Sequence, residues 1–509
     1  MSEMRADEQN AQDEHPGSSI AHSTVYRIWT HCWFQIILIS FICFCCPGVR
    51  EAHVSEGKSD WLTLGQMYNA LTGMGGSGQV DQAVTANANV ALLSATAATA
   101  LFVVGPIFDR VGPRVCLLLG GWTYPLYSGS LLCFNGEDPK LQNRTVKLTM
   151  ILYTATNNGA FVIASGAILG VGASFLWVAQ GAIMTTYVSE SHKGRAIAVF
   201  WFIFNLGGGV GSLASFGINY DSKTGTVSNG TYIAFLVIMA VGWSLGILVC
   251  PPSYVRSAHP QKKSDSERNW RQVARQSLKT IVDWRVLCML PLFFSANVFY
   301  SYQQNGVNLM NFNIRTRSLN GALYWIAQML GSLLMGMLLD IPQLTRPMRA
   351  RVAWAFLVVT GMGIWGGGYA FQKWSDSRLQ QGLKQDIDYT DGHTSVGPMF
   401  LYIFYGAYDA FWQSFCYWLI GAQSNSPAVA AVLVGAYKTF QSVGGAMAWR
   451  LNAMEKPAMT QFAMDWGLCM GSLCIAIPTV LAITLTSETH STEKEPTVAV
   501  NLDEEAKRD

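Results

Sequence analysis

Long runs of apolar residues recur along this 509-residue chain and alternate with short polar stretches. A helix needs about 20 mostly apolar residues to cross the hydrocarbon of a membrane, where every backbone polar group must be satisfied within the segment. Twelve runs approach that length and predict twelve membrane-spanning helices. They cover residues 28–48, 86–108, 115–134, 162–188, 196–217, 232–252, 285–305, 321–341, 351–371, 397–421, 428–448 and 460–486.

The longest interior polar stretch, "SYVRSAHPQKKSDSERNWRQVARQSLKTIVDWR", follows the sixth apolar run and divides the predicted helices into two sets of six. We therefore expect an all-α membrane protein with two pseudo-symmetric six-helix bundles, at residues 28–252 and 285–486. The remaining residues are expected to form a cytosolic N-terminal tail (1–27), a cytosolic linker (253–284) and a cytosolic C-terminal tail (487–509).

Composition supports a membrane location and excludes several other classes. Residues are 50% hydrophobic and only 13% charged, against roughly 25% charged in soluble domains. The net charge of +2 and the lack of a basic cluster with interleaved aromatics argue against nucleic-acid binding. The eleven cysteines lie in or beside apolar runs without the spacing of a metal site or a disulfide framework. They are interpreted as packing residues, and no metal or cofactor is expected.

The orientation of the chain is predicted from its polar segments. The N-terminal "MSEMRADEQNAQDEHPGSS" lacks the apolar core of a cleavable signal peptide, so the first apolar run is expected to direct insertion. Lys and Arg are enriched in the segments that lie inside when the N-terminus is cytosolic, the linker contributing most. The glycosylation sequons at Asn143 and Asn229 fall in loops that this topology places outside.

Two pairs of short motifs indicate an internal repeat. Gly105 and Asp109 end the second predicted helix with the same G-x-x-x-D spacing as Gly336 and Asp340 at the end of the eighth. "FNLGGGVGS" in the fifth helix has a counterpart, "FQSVGGAMA", in the eleventh. Parallel repeats of this kind are typical of transporters whose binding site lies near the midplane between the halves.

The stretch "GPIFDRVGPR", residues 105–114, is predicted to be the short inner loop between the second and third helices. It resembles the loop motif of the major facilitator superfamily, and the resemblance implies a cytoplasmic latch. Gly105 would permit close helix approach, Asp109 would face the N-terminal end of the eleventh helix, and Arg110 and Arg114 would pair across the loop. Gly112 and the second-half Asp340 complete this predicted latch. The alternative is a positive-inside loop without a latch.

Charges inside a predicted span are the strongest functional signal, because each costs roughly 2.5–3.5 kcal/mol at a helix centre. Asp409 and Lys438 are two such charges, on the tenth and eleventh helices. We expect them to pair or to share a hydrated pocket, with a structural ion pair as the alternative to a binding site. The candidate cavity residues are the four-residue stripe of the tenth helix and polar residues of three other helices: Tyr405, Asp409, Gln413, Tyr417, Lys438, Gln441, Asn205, Asn297 and Gln304, with Ser301 and Asn308 on the same helix as the last two.

Enzyme motifs are missing from the sequence. "GMGGSG" (73–78) matches G-x-G-x-x-G by letters, but no strand precedes it and no parallel-sheet unit surrounds it, so a dinucleotide site is not indicated. No Walker A loop, HExxH or GxSxG elbow is present. We do not expect an enzyme.

Several stretches together resemble the UNC-93 branch of the major facilitator superfamily, in particular its fungal-type members. They are "MYNALTGMGGSGQV", "GPRVCLLLGGWTYPLYSGSLL", "GAILGVGASFLWVAQGAIMTTYVSESHKGRAIAVFWFIFNLGGGVGS" and "YGAYDAFWQSFCYWLIGAQSN". The resemblance implies the superfamily fold in a multi-pass protein of the plasma membrane or an endomembrane. "VREAHVSEGKSDWLTLGQ" (49–66) departs from the family pattern and is interpreted as a retained intron or an additional outer loop.

The expected function is secondary transport of a small solute or metabolite by rocking of the two bundles. The alternative is a non-transporting accessory, ion-channel-regulatory or trafficking subunit with a membrane-protein partner. Transport requires a solute-sized cavity between the halves, whereas a scaffold could have a collapsed centre and an apolar groove facing a partner. Lipid surrounds the protein in either case, and no nucleic-acid partner is expected.

The predicted topology places Asn143 and Asn229 on the lumenal or extracellular side, so glycosidase treatment should lower the apparent mass of the protein from its native membrane. Asn143→Gln and Asn229→Gln should each remove part of that shift. Glycosylation of a reporter sequon introduced between residues 256 and 283 would contradict the topology.

Overall fold

The computed structural model describes residues 24–46, 82–135, 158–218, 229–255 and 270–485. Asn143, residues 49–66 and both tails beyond these limits lie outside the described residues. Within them the fold is helical, with one isolated bridge between Phe312 and Ile387 instead of a sheet.

Each of the twelve apolar runs forms a helix, and we number these helices α1 to α12. They are α1 Cys32–Cys45; α2 Gln82–Thr99, continued by a π-helix at Ala100–Val104; α3 Thr123–Asn135, preceded by the kinked segment Gly105–Gly121; α4 Asn158–Thr186; α5 Lys193–Ile218; α6 Asn229–Leu245; α7 Trp284–Ser295, continued by Phe299–Ser301 and a π-helix at Tyr302–Leu309; α8 Ile314–Leu339; α9 Arg346–Gln380; α10 His393–Gln423; α11 Pro427–Ala453; and α12 Ala458–Ile475, continued by Ile477–Leu481. A short helix, Thr24–Trp29, precedes α1, and Trp270–Val282 is a helix in the linker.

Seven stretches among the described residues are long and apolar enough to cross a membrane, and one of them, Asn87–Ser130, runs from within α2 to within α3. α1 and α6 contain shorter apolar helices. α10 and α11 fall outside the seven although they are 31 and 27 residues long. These two helices carry Asp409 and Lys438, and their polar residues lower the mean hydropathy.

The 105–114 stretch is not the loop that the sequence predicts. Gly105–Gly121 is helical except at Gly112, whose φ of 74° and ψ of 173° turn the chain between α2 and α3. Residues with a Cβ rarely adopt a positive φ of this kind, so glycine is required at the turn. The Arg114 Nε donates to the Val249 carbonyl at 2.7 Å. This contact places Arg114 against the end of α6, not across the turn as the motif implies.

The end of the bundle that carries the Gly112 turn is here called the inner face, and the opposite end the outer face. The two halves meet along two pairs of helices, α5 with α8 and α2 with α11. A Cβ added to Gly435 of α11 would lie 2.8 Å from the Ala100 carbonyl oxygen of α2. A Cβ added to Gly336 of α8 would lie 2.5 Å from the Ala198 Cβ of α5. Both crossings therefore depend on the absence of a side chain.

Asp340 follows α8 and binds the N-terminus of α5 in the other half. Its carboxylate accepts hydrogen bonds from the backbone N–H groups of Gly194 at 2.9 Å and Arg195 at 2.7 Å. A carboxylate at this position satisfies two donors that the first helical turn leaves unpaired and favours the positive end of the helix dipole. Asp340 thus makes the contact that the motif implies for its first-half counterpart. The contact of Asp109 with α11 stays a prediction, supported by Gly105, where an added Cβ would lie 3.6 Å from the Val432 Cα of α11.

At the outer face, the connection between α9 and α10 is fastened to the turn between α7 and α8. Asp388 accepts hydrogen bonds from Arg315 and Asn313 at 2.5 Å each, and from the Thr390 hydroxyl at 2.9 Å. Desolvation opposes ionisation of Asp388, but these hydrogen bonds outweigh it and lower its pKa to about 2. The carboxylate is therefore ionised at any physiological pH.

We expect Asp388→Asn to destabilise the protein by about 1.5–3 kcal/mol at neutral pH, because hydrogen bonds to a charged group are lost. The folded pKa lies below that of an unfolded aspartate, about 3.9. The unfolded state therefore binds the proton first, and the stabilisation is lost as the pH falls toward about 2. Thermal unfolding of purified protein should accordingly show a difference in melting temperature between wild type and variant, and this difference should shrink on acidification.

Asp386→Asn is the matched control in the same loop, because Asp386 pairs with Arg378 at the exposed rim and such pairs contribute little. A pH-independent difference between Asp388→Asn and the wild type would contradict the ionic role of Asp388.

Candidate functional site

A cavity of about 180 Å³ lies between the two halves and is lined by residues of seven helices. Its walls combine indole rings, amides and one amine. The lining residues are Leu92, Leu93 and Thr96 of α2; Ala173 and Trp177 of α4; Trp201 and Phe204 of α5; Asn297, Tyr300 and Gln304 of α7; Trp325 and Gln328 of α8; Gln413 of α10; and Lys438, Gln441, Ser442 and Trp449 of α11. We call this space the central cavity.

Lys438 is the cation of the central cavity and is only 6% exposed. Its Nζ donates to Gln441 Oε1 at 2.8 Å. The amine also lies 4.5 Å from the ring centroid of Trp177 and 4.8 Å from that of Tyr437. Because Trp177 belongs to the other half, the charge is held by contacts from both sides of the molecule.

Asp409 is buried behind the cavity wall, and its carboxylate oxygens accept several hydrogen bonds. It accepts from Gln328 Nε2 at 2.5 Å, from Gln413 Nε2 at 3.2 Å and from the Tyr300 hydroxyl. Three donors from α7, α8 and α10 replace the water that a carboxylate loses on burial.

Asp409 and Lys438 do not form a direct ion pair in the described part of the chain, where no salt bridge joins them. Two glutamine side chains connect them instead. Gln441, which accepts from Lys438, donates from Nε2 to Gln413 Oε1 at 3.1 Å, and Gln413 donates to Asp409. The Tyr437 hydroxyl also donates to Gln413 Oε1. Of the two sequence expectations, the shared polar site matches this geometry and direct pairing does not.

Several polar atoms at the cavity have no hydrogen-bond partner. They include the indole N–H groups of Trp201 and Trp325 and the amide oxygen of Gln304, all in lining residues. Asn205, one residue beyond Phe204, is fully buried with both side-chain polar atoms unpaired, and it lies outside the lining. Buried polar groups of a folded protein usually have partners, so these atoms indicate space for water or a ligand.

The sequence predicts that four α10 residues line the central cavity, but only Gln413 does, whereas Tyr405, Asp409 and Tyr417 lie outside the lining. Tyr405 packs on Trp365 of α9, with ring centroids 5.2 Å apart. Tyr417 donates to Gln180 Oε1 of α4 at 3.1 Å. Four residues advance a helix by about 400°, so a stripe at this spacing drifts by about 40° at each step. From Tyr405 to Tyr417 the drift reaches about 120°.

The candidate residues on α7 also differ in whether they line the central cavity. Asn297 and Gln304 line the central cavity, whereas Ser301 is buried outside it. Asn308 lies toward the outer face, where it accepts from Asn320 at 3.0 Å.

The inner face is closed by a polar network between the halves that sequence reasoning missed. Lys193 donates to the Gly421 carbonyl at 2.5 Å and to Asn425 Oδ1 at 2.7 Å. Asn425 donates to Glu190 at 2.8 Å, and Arg346 lies 3.5 Å from the same carboxylate. Glu190 and Lys193 occur in the polar sequence "SESHKGR", which resembles an ordinary solvated loop, so only their pairing across the halves distinguishes them.

A second cavity, of about 1190 Å³, is a groove of the C-terminal half between α8, α9 and α10. Its walls are mostly apolar and include Leu330, Leu334, Phe400 and Phe404. These four side chains are between 47% and 62% exposed. We call it the lateral groove, because none of its lining residues also lines the central cavity.

The family model of the Major Facilitator Superfamily matches residues 81–448, which include every residue that lines the central cavity except Trp449. The chain belongs to this superfamily. It is also similar to UNC93-like proteins: one of Schizosaccharomyces pombe is 39% identical over 459 residues, covering 89% of this chain and 83% of that protein. UNC93-like protein 1 of Arabidopsis thaliana is 37% identical over 438 residues, covering 85% and 86%. These relatives place the chain in the UNC93-like branch, as its sequence motifs indicate.

Solved structures of the superfamily share the fold of this UNC93-like protein. A bacterial homologue of the iron transporter ferroportin, in an outward-facing state, has a TM-score of 0.56 at 11% identity over 88% of this chain and 98% of that chain. The fucose:proton symporter of E. coli has a TM-score of 0.55 at 9% identity over 89% and 97%. At these identities the likeness concerns the fold, and it confirms the twelve-helix, all-α prediction.

We expect Asp409→Asn and Lys438→Met each to destabilise this UNC93-like protein, because each leaves the other charge buried without its counterpart. A double-mutant cycle on thermal unfolding should give a coupling of about 0.5–3 kcal/mol, which is smaller than for a direct pair since two glutamines separate the charges. Gln413→Leu should remove most of this coupling.

Lys456→Met, at an exposed position after α11, is the control for loss of a lysine. Additive losses in the Asp409 and Lys438 variants would contradict an electrostatic connection through Gln413 and Gln441.

Proposed function

We propose that this UNC93-like protein is a secondary transporter that carries a small solute through the central cavity by alternating access. The observation that carries the proposal is the cavity itself, since it lies between the halves and takes walls from both. A rocking motion about the α5–α8 and α2–α11 crossings would open it to one face and then to the other. Its membrane environment and superfamily fold point to transport rather than catalysis.

The contacts of the inner face support a role as the inner gate. Lys193, Glu190, Asn425 and Arg346 join the halves there, and Asp340 adds its bond to the α5 N-terminus. Opening toward this face requires these contacts to break together. Lys193 and Asp340 are buried in this arrangement, and on opening water can replace their hydrogen bonds, so that the net cost of each broken bond is modest.

The chemistry of the central cavity favours a small polar or anionic solute. Lys438 supplies a positive charge, and the indole N–H groups of Trp201 and Trp325 supply unpaired donors. Asp409 is engaged by its own three donors and lies outside the lining, so it does not offset the donor character of the walls. Typical ligand cavities measure about 300–1,000 Å³, and 180 Å³ therefore suits a small solute held in a nearly closed state.

The second candidate function is the accessory or trafficking role, and the lateral groove supports it. The groove exceeds the central cavity several-fold in volume, and its apolar wall would fit a transmembrane helix of a partner. An accessory protein would need the groove and would not need the cavity.

Two tryptophan substitutions separate these functions. Ser442→Trp would fill most of the central cavity, whereas Leu330→Trp would fill part of the lateral groove. For a transporter, we expect Ser442→Trp to abolish uptake or efflux of a solute from a metabolite panel in proteoliposomes, and Leu330→Trp to retain most of it. Lys438→Met should reduce transport of anionic members of the panel at least tenfold.

Surface expression and thermal unfolding of both variants serve as controls for folding. If Ser442→Trp keeps the phenotype of the wild type in cells and Leu330→Trp loses it, the protein acts as an accessory subunit and the transport proposal is wrong.

A further inference from the structure

A second ionisable site lies inside the C-terminal half, apart from the central cavity. Asp465 of α12 is fully buried, and neither of its carboxylate oxygens has a hydrogen-bond partner. This differs sharply from Asp409, which accepts three hydrogen bonds. No lysine or arginine of the described residues forms a salt bridge with Asp465. An ionised carboxylate without donors or a cation is very unfavourable in hydrocarbon surroundings, so the acid form is the stable one here.

The surroundings of Asp465 are polar but contain no compensating charge. Tyr302 of α7 and Tyr405 of α10 lie within electrostatic range of it, as does Cys469 one turn further along α12. Tyr408 of α10 faces Cys469. The Tyr408 hydroxyl lacks a hydrogen-bond partner, as does the indole N–H of Trp365 on α9, which packs on Tyr405. These groups come from four helices, and Tyr302, Tyr405 and Cys469 are the ones that interact electrostatically with the buried carboxyl.

A line of polar side chains joins this cluster to the outer face. The Tyr302 hydroxyl donates to Gln372 Oε1 at 2.7 Å, and Gln372 Nε2 donates to Asp376 Oδ1 at 2.8 Å. Asp376 lies near the outer end of α9 and is partly exposed. Asp376 is the acidic end of this line, and it acts electrostatically on Tyr302 together with Asp465.

We propose that Asp465 is a proton-binding site that is loaded from the outer face along the Asp376–Gln372–Tyr302 line and whose occupancy governs the rocking of the two halves. The ligand is a proton because Asp465 is fully buried and lines none of the described cavities, which leaves no room beside it for a solute or a hydrated cation. Binding forms one O–H bond on the carboxylate and removes one negative charge, and release returns the proton to water. The coupling part of this proposal rests on the proposed transport function.

Protonation would act on the packing of α12 against α7 and α9. In the acid form, the carboxyl can remain in its buried position without a donor, whereas the ionised form requires water or a cation. Loss of the proton therefore favours an arrangement in which Asp465 is hydrated. Since α7 contributes both Tyr302 here and Gln304 at the central cavity, the two sites share one helix.

Infrared spectroscopy of the purified full-length protein at neutral pH tests the site directly. We expect the carbonyl stretch of a protonated carboxyl group in the wild type and in Asp409→Asn, and its loss in Asp465→Asn. Deuterium exchange of this band should slow several-fold in Gln372→Leu if the polar line is the route. Absence of the band in the wild type, or its survival in Asp465→Asn, would overturn the proposal.

Labelling of an inner-face cysteine at Ser424 by an impermeant maleimide tests the coupling, with the protein lacking this substitution as background. Accessibility should change between about pH 5 and about pH 8 in the wild type, and should be independent of pH in Asp465→Asn, which resembles the permanently protonated state. Labelling that reports opening and closing of the inner face but does not depend on pH would overturn the coupling. Labelling that never varies, together with an intact infrared band, would contradict the transport function and leave the proton site in place.

Discussion

The close approach of α5 and α8 is the contact on which the rest of this structure depends. Gly194 and Gly336 allow the two backbones to meet, and Asp340 then reaches the unpaired N–H groups at the start of α5. This bond satisfies two backbone donors at the start of α5 and joins the two halves at the inner face at the same time. The α2–α11 crossing repeats the close approach at Gly435, and the central cavity is the space left between the two crossings.

The helices could be predicted from the sequence because a helix that crosses the bilayer must be apolar and long enough to span the hydrocarbon layer. All twelve apolar runs are helical, and the buried charges Asp409 and Lys438 do belong to one polar site. The predicted 105–114 loop was wrong because one glycine with a positive φ replaces a loop of several residues. Tyr405 was misplaced because a four-residue stripe winds around a helix, so its ends face different neighbours.

Other features depend on the tertiary structure and leave no local signal. The indoles of Trp177 and Trp325 are indistinguishable in sequence from tryptophans that face lipid or pack between helices. Asp465 was overlooked because a single acidic residue near apolar ones carries no spacing pattern, and only the absence of donors around it marks it as unusual. Glu190 and Lys193 join the two halves only because the end of α10 lies next to the start of α5. In each case the information lies in which helices are neighbours, and this is fixed by packing across the halves.

The length of α9 has a consequence for how the molecule meets its membrane. Its 35 residues extend over about 52 Å at 1.5 Å per residue, whereas the hydrocarbon layer is about 30 Å thick. Tilt alone does not absorb such a difference, so the helix also passes through the headgroup layer. Part of α9 therefore extends beyond the hydrocarbon layer, and its outer end carries the Arg378–Asp386 ion pair. A thinner or thicker bilayer would change the length of α9 that lies within the hydrocarbon. Membrane thickness would therefore affect how α9 packs against its neighbours.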